Sequence, residues 1–511
     1  MDRRLVGSVC LALWSLASIV ACGDDDEPAD TPDGGPADSG TLDSGPAPDA
    51  RPPDAGVPDG GGDPDAGVDP RYLAVVEMAE AQMAAQEIPG LSLAILDEGR
   101  LAFAVGLGVK RMGTDDPVTP ETLFRIGSTQ KMVTAATLLS LVDDGMLDLM
   151  APVTDYVPSF TLAEGFDAST VTPWHLLTHS SGLPDAAPFT CRATLADYWM
   201  TARHPLWAPP GRFFNYSNPG YSLAGLVAQT VDSAPYSEVV QRRVFDPAGM
   251  TTATMDQAVA EAADHAIGHH PNDAGEIELL GPLDYQCDWV VPAGFMFATA
   301  TDMAHFVEML LADGGTTLEP DSARAMLTPQ IPAGYPGSSY SFGLGVAQSA
   351  EGPVGVGHEG AIAGFQSDIA FIPETGSGVV VIANRFGIDT NQITIRAGYA
   401  LRGEPIPEEL PPPPDYTTDP ATWGEYAGTY QSLALGSIQI ELRGEELWCT
   451  LAVGGFRYNA PLRQAGADMF LFVVDGAPVL AGTFYRDEAT GVPRWFVTRA
   501  GVGERVAEPT P

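Results

Sequence analysis

A serine and a lysine three positions apart, Ser128 and Lys131, have the residue types needed for nucleophilic chemistry. The run from 128 to 142 predicts a helix that is apolar on most sides. Residues three apart share a helix face, so the hydroxyl and the amine can meet there. Burial near a helix N-terminus disfavours a charged amine. We therefore interpret Lys131 as the base that activates Ser128.

Lysine is rare in this chain, because only Lys110 and Lys131 occur in 511 residues while arginine is used freely. Arginine keeps its proton in proteins, whereas a buried lysine can lose it. A neutral amine at pH 7 requires a fall in pKa of about 3 units, which costs the charged form ~4 kcal/mol. The alternative is an N-capping serine beside a surface lysine, and the predicted burial argues against it.

Two further polar clusters follow at wide spacing. Tyr216 and Asn218 lie two apart in an apparent extended loop, so a phenol that can relay a proton and an amide that can hold a carbonyl face one cavity. The alternative for this pair is an Asx turn beside a packed tyrosine. His358 and Gly360 precede a predicted hairpin, where a glycine at a strand edge lets a substrate backbone approach an N–H of the enzyme.

The elements around these clusters predict an α/β (α+β) fold. Both ends of the region combine a helix with a hairpin, and the middle is largely helical, so one antiparallel sheet covered by helices is joined to an all-helical part. The predicted helices span 72–87 and 391–401, and the predicted strands span 91–96, 101–106, 367–372 and 379–384.

The order of the three clusters, with their flanking runs, resembles the serine β-lactamase and penicillin-binding-protein superfamily over residues 71–403. The most similar branch contains class C β-lactamases, D-alanyl-D-alanine carboxypeptidases and related esterases. The runs that carry the resemblance are LFRIGSTQK (123–131), LLTHSSGL (176–183), FNYSNPGYSL (214–223), PAGFMFATATDMAHF (292–306) and GHEGAIAGF (357–365).

This resemblance implies a β-lactamase/transpeptidase-like fold and a covalent acyl-enzyme on Ser128. Lys131 and Tyr216 would move the proton, and Asn218 would orient the substrate. The backbone N–H groups of Ser128 and Ala361 would form an oxyanion hole, worth ~3 to 4 kcal/mol per donor. No cofactor and no metal is expected.

The third cluster departs from the family pattern. β-Lactamases usually have Lys-Thr-Gly there, whereas this chain has His358, Glu359 and Gly360. His358 and Gly360 would still bind substrate, but a histidine can be neutral and Glu359 adds a negative charge. Peptide or ester substrates are therefore favoured over β-lactams. A class C-like β-lactamase and a non-catalytic wall-binding or penicillin-sensing lipoprotein are the alternatives.

The first 70 residues predict export and attachment to a membrane. Residues 1–22 have a short basic start and an apolar run that reaches Cys22, and Ile19 to Ala21 resemble a bacterial lipobox, which implies lipidation of Cys22. A transmembrane anchor is the alternative. Residues 23–70, rich in Asp, Pro and Gly, predict a disordered tether that holds the body outside the cytoplasm.

The net charge of −42 makes nucleic acid and anionic lipid poor partners. The expected partner is therefore a peptide or small-molecule acyl substrate, a class that includes peptidoglycan fragments. In an exported protein Cys191 and Cys287 are candidates for a disulfide.

Residues 404–420 predict a proline-rich linker. Residues 421–511 predict a small β-barrel or sandwich in which we identify no catalytic cluster.

Two rival sites are weaker. Gly220 and Ser222 begin a nucleophile-elbow pattern, but Ala224 occupies its last position and no parallel strand precedes it. Three histidines that could bind a metal lie in a polar stretch without helical register, so we interpret them as a surface loop. These are His265, His269 and His270.

Overall fold

The computed structural model describes residues 67–185, 193–272, 275–280, 287–334, 337–349, 352–410, 418–453, 456–474 and 477–506. The predicted signal sequence, Cys22, most of the tether and Cys191 lie outside these ranges. Among the helices of the described ranges, none combines the length and apolar character that a bilayer span requires.

The helices of the described ranges are labelled α1 to α13 in chain order. They are Pro70–Ala85, Gln130–Asp143, Val153–Tyr156, Pro173–Leu177, Leu195–Thr201, Asn218–Val231, Tyr236–Val240, Asp246–Ala248, Gln257–Ala262, Val291–Gly294, Ala300–Leu311, Pro320–Leu327 and Asn391–Leu401.

The strands of the same ranges are labelled β1 to β20. They are Gly90–Asp97, Arg100–Gly108, Phe124–Arg125, His269–Pro271, Ile277–Leu279, Phe297–Ala298, Ile331–Pro332, Ser338–Tyr340, Gly345–Ser349, Gly352–Ile362, Phe365–Ile372, Ser377–Ala383, Gly428–Ser432, Gly436–Arg443, Glu446–Val453, Phe456–Gln464, Met469–Val474, Ala477–Arg486, Pro493–Thr498 and Gly501–Arg505.

One antiparallel sheet of eight strands organises the first domain, in the order β2-β1-β12-β11-β10-β9-β8-β7. Its first hairpin joins the late one directly, because Leu91 lies opposite Ala383 and Leu96 lies opposite Gly378. The prediction of a single sheet built from both ends of the domain is confirmed. The strands β7 to β10 extend it beyond the two hairpins that the sequence indicated.

Both faces of this sheet are covered. Leu93 and Ile95 of β1 point into a core shared with α1 and α13. Their neighbours Ala94 and Leu96 point the other way, into a larger core shared with α2, α6 and α11. Successive side chains of a strand alternate between faces, so a strand buried on both sides is apolar on both, and β1 follows this pattern apart from the buried Ser92.

The helix α2 crosses the centre of the larger core, and every residue from Gln130 to Leu141 is buried. This confirms the prediction of a helix that is apolar on most sides. Its start differs, because Ser128 lies in a tighter 3₁₀ turn, Gly127–Thr129, and α2 begins two residues later. Lys131 is therefore in the first turn of α2.

The strands β13 to β20 form a closed eight-stranded barrel. Closure pairs β20 with β13, so that Tyr430 lies opposite Arg505. Aromatic side chains fill the interior, and Phe484 contacts Phe470 and Phe496 at ring distances of 5.7 and 4.5 Å. Full closure removes the sheet edges that an open module of this size would expose.

The barrel packs against the first domain through its last hairpin. Trp495, Val497 and Val502 of β19 and β20 share a buried cluster with Ala208 and Phe213. These two partners lie in the segment that leads to Tyr216. The docking surface of the barrel is therefore next to one of the predicted chemical clusters.

Candidate active site

The turn that carries Ser128 is held against strand β10. Gly127 has φ +56°, and a Cβ at this position would lie 2.7 Å from the backbone N of Ala361. A side chain is excluded by both the backbone conformation and the lack of space. The absence of a Cβ brings the backbone of Ala361 next to Ser128.

Three predicted residues meet at the Ser128 hydroxyl. The Nζ of Lys131 lies 2.9 Å from Ser128 Oγ, and the Tyr216 hydroxyl lies 2.8 Å from the same atom. Lys131 Nζ also lies 2.8 Å from Asn218 Oδ1 and 2.6 Å from the carbonyl oxygen of Ala293. These distances are within hydrogen-bond range, so the four side chains form one network.

The geometry accommodates a neutral amine. Such an amine has two N–H groups and one lone pair, and its N–H groups can donate to Asn218 Oδ1 and to the carbonyl oxygen of Ala293, which cannot donate. The lone pair is then directed at Ser128, whose hydroxyl donates to it. Tyr216 in turn donates to Ser128 Oγ. The proton of Ser128 therefore has an acceptor already in place.

Burial favours the neutral form of this amine. Lys131 is 0 % exposed, and burial is the main cause that holds its pKa well below the usual range. The Asp185 carboxylate opposes this fall in pKa, and the Arg499 guanidinium adds to it. An amine of lowered pKa can act as a general base near neutral pH.

Tyr216 and Asn218 are positioned by the start of α6. Ser217 caps this helix by accepting a hydrogen bond from the Gly220 N–H at 3.0 Å, and Asn218 is its first residue. The prediction of an extended loop through Asn218 is wrong, because the Ser217 cap and Pro219 begin a helix there. Both side chains nevertheless reach the network.

The phenol of Tyr216 stays protonated. Burial raises its pKa. This effect outweighs the Arg499 charge and the Ser128 hydrogen bond, which both lower the pKa. Tyr216 stacks on His179 with ring centroids 4.2 Å apart. His179 accepts a hydrogen bond from the Ser217 N–H at Nδ1, 3.0 Å away, and burial holds its pKa well below the usual range. The neutral imidazole of His179 therefore packs against the phenol ring of Tyr216.

His358 lies inside β10 and is 6 % exposed. Its Nε2 is 3.0 Å from the Tyr340 hydroxyl, and its Nδ1 is 2.5 Å from the carbonyl oxygen of Glu359. Burial is the main cause that lowers its pKa to about 3. The imidazole is neutral at working pH, so this position supplies no fixed positive charge.

Glu359 does not bring the negative charge that the sequence suggested. Its neighbours His358 and Gly360 share one face of β10, so its own side chain lies on the other. There Asn391 Nδ2 donates to Glu359 Oε1 at 3.0 Å. Burial, and then the facing Asp368, raise the pKa of Glu359 well above its usual range. The side chain is neutral and directed away from Ser128.

Gly360 permits a close approach, but to the enzyme's own backbone. A Cβ there would lie 2.1 Å from the carbonyl oxygen of Ile126 and 3.0 Å from the Thr129 N. The expectation that Gly360 also makes room for a substrate backbone stays a prediction. Its role in the structure is to let β10 contact the turn of Ser128, which brings Ala361, the predicted second oxyanion donor, alongside.

Sequence reasoning missed three residues at the site: Ala293, Asp185 and Arg499. Ala293 contributes a backbone oxygen, which no side-chain motif can reveal. Asp185 accepts a hydrogen bond from the Asn218 N–H at 2.9 Å, and Arg499 arrives from the barrel. The available signal for Arg499 was a charged residue at the tip of a short hairpin, residues 498–501.

The other candidates lie away from Ser128. Cys287 is disulfide-bonded, and its predicted partner, Cys191, is outside the described residues. The sequence predicts a surface loop at His269, but this prediction is wrong, because His269 is 0 % exposed and its Nδ1 is 2.7 Å from the Asn384 carbonyl oxygen. Across the described ranges, no group of three or more His, Cys, Asp or Glu side chains could hold a metal ion.

Known proteins are similar to this chain in sequence. Residues 75–401 match the family model described as Beta-lactamase. Penicillin-binding protein 4 of Amycolatopsis lactamdurans is 28 % identical over 375 residues, which cover 70 % of this chain and 96 % of that protein. The unguisins hydrolase of Aspergillus campestris is 29 % identical over 385 residues, covering 71 % and 69 % respectively.

A solved structure has a similar fold. The D-amino acid amidase of Ochrobactrum anthropi SV3, complexed with L-phenylalanine amide, superposes with a TM-score of 0.56 at 25 % identity, covering 65 % of this chain and 99 % of that one. The matched family model spans most of the chain and includes every residue of the Ser128 network. The chain thus belongs to the beta-lactamase family, and it is a serine hydrolase.

Proposed function

We propose that this hydrolase works through a covalent acyl-enzyme on Ser128 and acts on peptide, amide or ester substrates. The observation that carries the proposal is the contact of Ser128 with a fully buried lysine amine, 2.9 Å away. A structural role gives a lysine no reason to be buried without a carboxylate partner. A general base requires that environment, because it must be neutral to accept a proton.

The proposed reaction begins when Ser128 Oγ attacks the substrate carbonyl and its proton passes to Lys131 Nζ. The carbonyl oxygen becomes an oxyanion that the N–H groups of Ser128 and Ala361 stabilise. The bond from the carbonyl carbon to the leaving nitrogen or oxygen then breaks. Lys131 returns its proton through Tyr216 to the leaving group. Water repeats the sequence on the acyl-enzyme, which releases the acid and restores Ser128.

Amide, peptide and ester substrates are favoured because the third cluster offers no fixed cation. A β-lactamase uses the lysine at this place to hold a substrate carboxylate, and here a neutral His358 replaces it. The name of the D-amino acid amidase supports amides as one substrate class. A class C-like β-lactamase activity is the second candidate, because the name of the penicillin-binding protein 4 relative says that it binds a β-lactam.

Intact-mass measurement tests the proposal. The full chain and Ser128→Ala are each exposed to a fluorescent penicillin and to an activated ester, with the adduct followed in time. A serine-dependent ester adduct that turns over supports the acyl hydrolase. Rapid turnover of the penicillin adduct supports the β-lactamase instead, and a permanent one supports a penicillin-binding protein. If wild type forms no adduct with either reagent, the binding lipoprotein is the better interpretation.

A further inference from the structure

The turn between β19 and β20 carries one charged side chain into the active site. Thr498 pairs with Gly501, so Arg499 and Ala500 form the tip of this hairpin. The same hairpin docks on the hydrolase domain through the aromatic and aliphatic cluster around Trp495. The position of Arg499 is thus fixed by packing on both sides of the interface between the barrel and the hydrolase domain.

Arg499 makes two contacts with the second chemical cluster. Its Nε donates to Asp185 Oδ2 at 2.8 Å, and its guanidinium carbon lies 4.7 Å from the centre of the Tyr216 ring. The other oxygen of Asp185 accepts from the Asn218 N–H at 2.9 Å. Asp185 is only 10 % exposed, so its charge requires both partners. One carboxylate therefore connects the barrel to the first residue of α6.

We propose that Arg499 is a positioning residue of the hydrolase, through which the C-terminal barrel completes the active site by fixing Asp185, the start of α6 and the Tyr216 ring against Ser128. The proposal rests on the proposed acyl-enzyme function and adds a second domain to it. Asn218 and Tyr216 both contact the Lys131 network, so a shift of either changes the environment of the base.

The charges of this pair act on Lys131 in opposite directions. The Asp185 carboxylate stabilises the protonated amine, and the Arg499 guanidinium destabilises it. Removing Arg499 alone leaves a carboxylate without its cation, which raises the pKa of Lys131. Removing both charges removes both of these opposing effects on the amine. This reversal is specific to an electrostatic and positioning role, because loss of packing would not be reversed by a second substitution.

The experiment compares Arg499→Met, Arg499→Lys and the double variant Asp185→Asn/Arg499→Met with wild type. Arg463→Met is the control, since this exposed arginine belongs to β16 of the same barrel. Two readouts are used: the pH dependence of kcat/KM for an activated ester, and the titration of the lysine side chains by NMR after ¹³Cε-lysine labelling. Only two lysines occur in the chain, so the spectrum contains two assignable signals.

Arg499→Met is expected to move the acid limb of kcat/KM and the Lys131 titration upward by about one pH unit. The double variant is expected to return both toward wild type. Arg499→Lys keeps the charge, so its acid limb stays in place while kcat/KM falls about fivefold or more, because an ammonium cannot reproduce the planar contact with Tyr216.

An unchanged Lys131 titration in folded Arg499→Met overturns the proposal, as does an equal shift in Arg463→Met. A lowered unfolding temperature of Arg499→Met without any shift of the Lys131 titration also overturns the proposal. If Arg499→Met does not fold, a wild-type kcat/KM in Arg499→Lys overturns the proposal instead. The titration needs no turnover. If wild type forms no serine-dependent adduct, the acyl-enzyme function fails by itself, while the NMR result still decides whether Arg499 controls the base.

Discussion

The two lysines of the chain occupy opposite environments. Lys110 contacts Asp116 at 2.8 Å and also pairs with Asp264, and these carboxylates outweigh partial burial, so the pKa of Lys110 is raised. Lys131 has no carboxylate within ion-pair distance in the described ranges, and burial lowers its pKa. One lysine is a fixed cation and the other is suited to exchange a proton.

Exchange of each lysine for arginine distinguishes these roles. Lys131→Arg is expected to reduce kcat/KM by about 10² to 10⁴, because a guanidinium keeps its proton and cannot act as a base. Lys110→Arg preserves a cation between two carboxylates and should leave the rate near wild type. Steady-state hydrolysis of an activated ester measures both. Substantial activity in folded Lys131→Arg would contradict the proposed role of the amine.

At the scale of secondary-structure elements, the contact between β10 and the Ser128 turn positions the reacting atoms. Gly360→Ala would place a methyl group 2.1 Å from the Ile126 carbonyl oxygen and force β10 away. We expect the free energy of unfolding to fall by ~1 to 3 kcal/mol and the acylation rate to fall with it, since Ala361 moves too. Denaturant unfolding and adduct formation measure the two effects.

Gly424→Ala is the matched control, because nothing lies within 4 Å of a Cβ at this position in the C-terminal domain. Its stability and rate should both stay near wild type. If Gly360→Ala behaves in the same way as this control, β10 can accommodate a side chain and the contact does not position the site.

The opposite face of β10 and β11 buries two carboxyl groups side by side. Glu359 lies opposite Asp368 in register, and burial raises the pKa of Asp368 to about 7. In the unfolded chain this carboxyl titrates near ~3.9. The native state therefore holds a proton that the unfolded state has lost, so the contribution is fully present below the unfolded pKa and disappears as pH rises through about 7.

We expect the free energy of unfolding to fall between about pH 5 and pH 8, and this fall to be smaller by roughly 1 to 3 kcal/mol in Asp368→Asn. Denaturant unfolding across this range gives the slopes. Glu374→Gln, at an exposed position, is the control for the general effect of charge. Equal slopes in wild type and Asp368→Asn would show that the buried carboxyl does not titrate in this range.

Sequence patterns predicted those parts of the molecule whose causes are local. The apolar period of α2 and the spacing of Ser128 and Lys131 are local, and the structure has the helix and brings the two side chains together. The start of α6 at Asn218 was missed because a Ser-Asn-Pro run suits a loop as well as a helix cap. Arg499 was missed because its contact with Asp185 joins residues 314 positions apart.

At the scale of the whole molecule, charge is the dominant feature. Residues 71–511 carry −30 of the net charge of −42. We expect a cationic ester to show a higher kcat/KM than a matched anionic ester, by about threefold or more at ~10 mM salt, where the screening length is ~30 Å. The difference should shrink at about 1 M salt. Rates that do not depend on salt would show that the field does not reach the entrance of the site.

Attachment to a membrane is also a property of the whole chain, and we propose it from the sequence. Cys22→Ser removes the thiol that a lipid would modify, so we expect the protein to move from the membrane fraction to the soluble fraction of a producing bacterium. Fractionation followed by detection of the chain measures this. If wild type is itself soluble, or if the variant stays bound to the membrane, the lipid anchor is contradicted.

The strand β1 pairs with β12, which is synthesised much later. The partner of Leu91 is Ala383, so the first hairpin leaves the ribosome almost three hundred residues before the strand that covers its edge. Pairing of such distant segments slows folding, and an uncovered apolar edge invites association with other chains. Until residue 383 has been made, this edge of β1 has no native partner, and such an unpaired strand edge is prone to aggregation.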